Sequence, residues 1–131
     1  MVFKGSNQSA IKVHNERAGF DRELAAYGRL QHFKVTEIAG LAVPSLMGFE
    51  SELKIIEISI VSPPYLLDFG GAHLDEAPSH IIDSDAKQRW MEERLEKFAE
   101  STPLVNRALA ELERKYGVFL TDIHPGNIRI V

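Results

Sequence analysis

An α+β fold with a small antiparallel sheet and one helix, joined to a partial helical part, is what this chain predicts. Three observations carry that reading. Apolar residues alternate in short runs through the first sixty positions, most cleanly over Leu53 to Val61. A single helical stripe, Phe20, Leu24, Tyr27, Gln31 with Leu30 beside them, interrupts those runs. After residue 82 the period changes to that of helices. With 131 residues, 44% hydrophobic and 26% charged, the chain is sized and composed as one globular domain.

Taken in order, Ser9 to His14 reads as a strand with Ala10, Lys12 and His14 on one face and Ile11 and Val13 on the other. Phe20 to His32 is the helix. Val35 to Ile38, a turn at Gly40, and an irregular Ala42 to Met47 containing Pro44 follow. Residues 48–52 read as the turn before the strand Leu53 to Val61, so a hairpin is predicted there. Residues 62–82, with Pro63-Pro64, Gly70-Gly71 and Pro78, read as a long irregular hinge and connector. A helix capped by Asp83 or Ser84 follows, with Met91, Leu95 and Phe98 on its apolar face and Trp90 flanking. The next helix has Thr102 as N-cap and Pro103 at its first position, with a core face of Leu104, Val105, Ala108, Leu109, Leu112 and Tyr116, and it ends at Gly117. Two short strands, Val118 to Leu120 and Ile128 to Val131, flank a turn over 122–127. The division is thus a sheet-rich lobe over 1–61, a connector over 62–82 and a partial helical lobe over 83–131 of a single domain.

Composition excludes several function classes. There is no cysteine, which removes thiolate metal sites, disulfides and cysteine nucleophiles, and which fits a cytoplasmic location. The net charge of -4 argues against a nucleic-acid face. No apolar run approaches the roughly 20 residues of a membrane span, and neither a leader nor a membrane partner is expected. His73, Asp75, Glu76 and His80 lack a recognised metal-ligand spacing and read as solvated loop residues.

The turn Asp122-Ile123-His124-Pro125-Gly126-Asn127 is the most informative stretch. It puts an Asp and an Asn on one tight loop between apolar strands. An Asp there can orient or deprotonate a hydroxyl, and the Asn amide oxygen can ligate Mg²⁺. The plainer alternative is that both make Asx-turn hydrogen bonds. Leu120 to Ile128 as a whole resembles the catalytic loop of kinase-like phosphotransferases, nearest the aminoglycoside-phosphotransferase and other bacterial kinase-like branches. Ala10-Ile11-Lys12-Val13 resembles the strand that carries their phosphate-binding lysine, and Glu23 on the next helix resembles its carboxylate partner.

The resemblance implies a reduced protein kinase-like fold and a bacterial kinase-like protein binding ATP and Mg²⁺. Lys12 would hold phosphates, Glu23 would orient Lys12, Asp122 would be the base and Asn127 the metal ligand. Ala10, Glu57 and Ser59 would meet the adenine, the last two as part of a hinge over 57–62. Phosphotransferase activity would follow if the site is complete. The alternative is a non-catalytic, pseudokinase-like interaction module. Two departures bear on that choice. No glycine-rich loop precedes Lys12, where there is no room for a full hairpin. Asp68-Phe69-Gly70 spells the family's metal motif but precedes the Asp122–Asn127 loop instead of following it, so it reads as a chance match in the connector. With four residues after Asn127, the chain is expected to lack the second metal aspartate and the rest of a helical lobe. The apolar area this would uncover predicts a homo-oligomer or a protein partner.

Overall fold

A computed structural model describes residues 2–4, 9–66, 69, 72–75, 85, 88–89, 92–93, 96, 98–120 and 128–129. Ten strands are described. β1 (Val2–Lys4), β2 (Ser9–Val13), β5 (Leu46–Glu50) and β6 (Ile55–Ser59) form an antiparallel sheet in the order β1-β2-β6-β5. β3 (Glu37–Ile38), β4 (Leu41–Ala42), β7 (Tyr65–Leu66) and β10 (Ile128–Arg129) form a second sheet in the order β10-β7-β4-β3. β8 (His73–Leu74) pairs with β9 (Val118–Phe119). The helices are α1 (Arg17–His32) and α2 (Thr102–Glu111), with further helical residues between 85 and 98. The α+β class is therefore as the sequence predicts.

α1 buries Phe20, Glu23, Ala26, Tyr27 and Leu30, a stripe at helical spacing that lies against the first sheet. It begins three residues before the predicted start. Its end is closed by two reversed-chain hydrogen bonds, Lys34 N–H to Gln31 O and Val35 N–H to Leu30 O, both 2.9 Å. That closure requires a left-handed residue at Lys34, where φ is 57°. The β3–β4 turn likewise places Ala39 and Gly40 at positive φ, the geometry of a two-residue hairpin. Its Ala39 amide donates to Glu111 of α2 at 3.0 Å, tying the turn to the second half.

Five details differ from the sequence reading. β1 pairs with β2, so a short first hairpin does exist, with residues 5–8 joining its strands. Residues 48–50 belong to β5; the turn falls at 51–54, and the predicted β5–β6 hairpin forms with a bulge between Leu46 and Gly48. Thr102 is the first helical residue and not the cap. A short 3₁₀ turn over Ala99–Ser101 leads into α2, so the extended backbone an N-cap needs is absent, and the Thr102 hydroxyl is buried with no hydrogen-bond partner among the described residues. Residues 62–82 are also less irregular than predicted, since they contribute β7 and β8. β9 and β10 do not pair with each other. β9 joins β8, and β10 runs antiparallel to β7 with Ile128 opposite Leu66.

One apolar cluster spans both halves. Phe20, Tyr27, Ile56, Leu66 and Phe69 pack in the same core as Phe98, Val105, Leu109, Leu112, Val118 and Ile128. The predicted face of the second helix is largely confirmed, with Val105, Ala108, Leu109 and Leu112 buried and Leu104 and Tyr116 packed at its margin. That helix widens into a π turn over Leu112–Tyr116 and stops at Gly117, φ 67°. Met91, Leu95, Trp90 and the caps Asp83 and Ser84 lie outside the described residues. Among the described residues, no helix is long and apolar enough to cross a membrane.

Candidate functional site

The strand period and the helix period meet at one carboxylate. Lys12 on β2 and His14, the residue just after its end, are two apart and so share a face. On α1, Glu23 lies on the buried stripe, three residues from Phe20 and four from Tyr27. The sheet face carrying Lys12 is the face α1 covers, because Ile56, directly opposite Lys12 in β6, is fully buried. Glu23 is 1% exposed and accepts from three donors. Lys12 Nζ is 3.0 Å from its Oε2, and the Phe69 amide donates to the same oxygen at 2.8 Å. His14 Nε2 is 2.8 Å from Oε1. A buried carboxylate is tolerated only when its lone pairs are met, and here a cation, a ring and a main-chain amide meet them. The Lys12 side chain is 18% exposed, so the anchored cation keeps a route to the surface.

The pairing of Lys12 with Glu23, expected from the resemblance, is thus present in the geometry. Ala10 lies on the same strand face, partly buried against the core, where it is small enough to leave room. Glu57 and Ser59 sit differently from the prediction. Both are inside β6, which has β2 on one side and β5 on the other, so their main-chain groups are engaged in the ladder. Ser59 N–H donates to Ser45 O at 2.9 Å, and the Glu57 carboxylate accepts from the buried Ser9 hydroxyl at 2.5 Å. The chain leaves the ladder after Ser59, with Ile60, Val61 and Ser62 outside any strand. Asp122 and Asn127 lie outside the described residues, as do Asp68 and Gly70.

Phe69 is what the sequence reading missed. It is fully buried, its ring meets Tyr27 edge to face with centroids 4.9 Å apart, and its amide reaches Glu23. Phe69 itself is built into the core beside the Lys12–Glu23 pair. The signal was the Asp68-Phe69-Gly70 triplet itself, set aside because of its place in the chain order. His14 was legible from the two-residue period but had been given no role.

Elsewhere, Asp75 binds Arg29 of α1 through two hydrogen bonds of 2.6 and 3.0 Å, and Arg29 also reaches the Tyr116 carbonyl at 3.2 Å. The guanidinium holds the Asp75 carboxyl below the usual carboxylate range through those bonds, and Asp75 in turn raises Arg29. Asp75 is thus used in an ion pair. No group of three metal-ligating side chains occurs among the described residues. Compared with known proteins, the chain matches no family model, no curated protein and no solved structure.

Proposed function

We propose that this chain is a kinase-like nucleotide-binding protein in which Lys12 contacts phosphate oxygens and Glu23 fixes Lys12. The observation that carries the reading is the Lys12–Glu23 contact, closed from the other side by the Phe69 amide. A phosphate-binding lysine needs a surface-reaching tip and a fixed position, and both are met, with the cation 18% and its partner 1% exposed. Asp122 acts as base and Asn127 as Mg²⁺ ligand in this reading. Bound Mg²⁺ would offset the phosphate charge. Asp68 joins them as a second metal ligand, contrary to its dismissal on chain order. Support for that comes from its chain neighbours: Phe69 touches Glu23, and Leu66 pairs with Ile128, the residue after Asn127. An antiparallel pair lets a motif early in the chain converge with a loop at its end.

Calorimetric titration with ATP, with and without Mg²⁺, tests the reading. Binding should depend on Mg²⁺, and Lys12→Ala should weaken it by about tenfold or more, the worth of a charged hydrogen bond. Asp68→Ala should remove the Mg²⁺ dependence. A folded wild type that binds no nucleotide would end this reading. A non-catalytic interaction module is then favoured, supported by Met47 and Phe49 on the edge strand β5, which are 51% and 58% exposed.

A further inference from the structure

His14, the residue after β2, brings a second side chain to the carboxylate that holds Lys12. Its Nε2 lies 2.8 Å from Glu23 Oε1, while Lys12 and the Phe69 amide share Oε2. The imidazole is confined. Its side chain is 11% exposed and stands edge-on to Phe20, with ring centroids 6.2 Å apart. A Cβ on Gly19 would come within 3.3 Å of Nδ1, so the absent side chain there makes the ring's seat. The His14 main chain is pinned too, its amide donating to Lys54 O at 2.9 Å. Since an ionised carboxylate only accepts, the shared hydrogen belongs to Nε2.

We propose that His14 is a positioning residue for Lys12: by occupying Oε1 of Glu23 it leaves Oε2 as the oxygen of this carboxylate that seats the Lys12 ammonium. This rests on the nucleotide-binding reading above. A carboxylate with both oxygens open offers a flexible ammonium several seats of similar energy, and the cation is then not preorganised for a phosphate. With Oε1 taken, one seat remains, shared with the Phe69 amide. A ring that merely filled space could be replaced by phenylalanine. A ring that works through its donor can be replaced only by another donor, such as a glutamine amide.

The test compares His14→Phe with His14→Gln, each alone and with Lys12→Ala. Two quantities are read: hydrogen exchange of the Phe69 amide relative to that of Ile56, and affinity for ATP with Mg²⁺. His14→Phe should lower the relative protection of Phe69 about tenfold and weaken ATP binding about tenfold, the scale of one hydrogen bond to a charged group. His14→Gln should restore both. In the Lys12→Ala background His14→Phe should change ATP affinity less than about twofold, because the two act through one group. If His14→Phe does not fold, His14→Ala takes its place. The proposal is overturned if ATP affinity is unchanged in His14→Phe, if His14→Gln behaves like His14→Phe, or if the loss is as large without Lys12. Should wild type bind no ATP, the exchange measurement still decides the placement of Glu23: selective loss at Phe69 upholds the clamp while the nucleotide reading falls, and no loss ends both.

Discussion

Replacing Glu23 by alanine removes the acceptor shared by three donors, and the structure sets the scale of the damage. The Phe69 amide is buried and would be left without its partner, at a cost of about 1–3 kcal/mol. Lys12 is 18% exposed and can turn its tip to water, so its loss belongs at the low end for a charged hydrogen bond, about 1.5 kcal/mol. His14, 11% exposed, adds about 1 kcal/mol. The sum, about 3.5–5.5 kcal/mol, is close to the usual cost of about 3–5 kcal/mol for removing one partner of a buried ion pair. With a urea dependence of about 2 kcal/mol per molar, the unfolding midpoint should fall by about 2 M. Glu23→Gln should cost less than half as much. Its amide oxygen can still accept from Lys12 and Phe69, and its NH₂ can donate to a His14 ring that has exchanged its tautomer. Equilibrium urea denaturation of the two variants checks this. A Glu23→Ala protein within about 1 kcal/mol of wild type would refute the claim that this carboxylate organises the core, and equal losses for Ala and Gln would refute the donor count.

Lys34→Gly should stabilise the protein by about 1 kcal/mol, because φ at Lys34 is 57° and glycine bears no penalty there; the melting temperature should rise by about 3–5 °C. Gly117→Ala should destabilise, since φ is 67° and the new Cβ would lie 2.7 Å from Asp75 Oδ1; the backbone part alone is about 1–2 kcal/mol, and thermal melting should show part of the loss missing when Asp75→Ala is already present. Asp75 is held below its ordinary value of 3.8 by Arg29, so its contribution is full above that value and is lost as pH falls through the depressed folded value. Asp75→Asn should therefore flatten the acid limb of the stability curve below about pH 4, measured by urea midpoints across pH.

Period alone made much of this molecule legible. Two-residue alternation grouped Lys12 with Ala10 and His14 on one face of the strand, and 3.6-residue spacing put Glu23 beside Phe20 and Tyr27; the contact between Lys12 and Glu23 was expected from the resemblance. The core face of α2 was readable from the same helical spacing. Short elements were not. β3, β4, β7, β8, β9 and β10 are two residues each, too brief for any period to emerge, and are held by partners distant in sequence. The misplaced turn before β6 has a local cause. Gly48 looks like turn chemistry, yet it pairs with Glu57 inside β5, directly after a bulge that bends the strand. Glu57 and Ser59, which the resemblance gives to a hinge, stand in a strand that is interior to the sheet and spends its main-chain groups on both neighbours.

The order of motifs along a chain is weaker evidence than the pairing of the strands that carry them. Asp68-Phe69-Gly70 was set aside because it precedes the Asp122–Asn127 loop by more than fifty positions. Strand pairing does not respect that distance: Leu66 lies opposite Ile128, and Arg129 opposite Tyr65. Loop-closure entropy grows only with the logarithm of the intervening length, so joining residues about sixty apart costs little more than joining thirty. What must be satisfied is local, namely a buried amide at Phe69, a buried carboxylate at Glu23 and apolar side chains on both β7 and β10. Each of these is met by the fold as it stands. Chain order therefore carries little energetic weight against the role proposed above for Asp68.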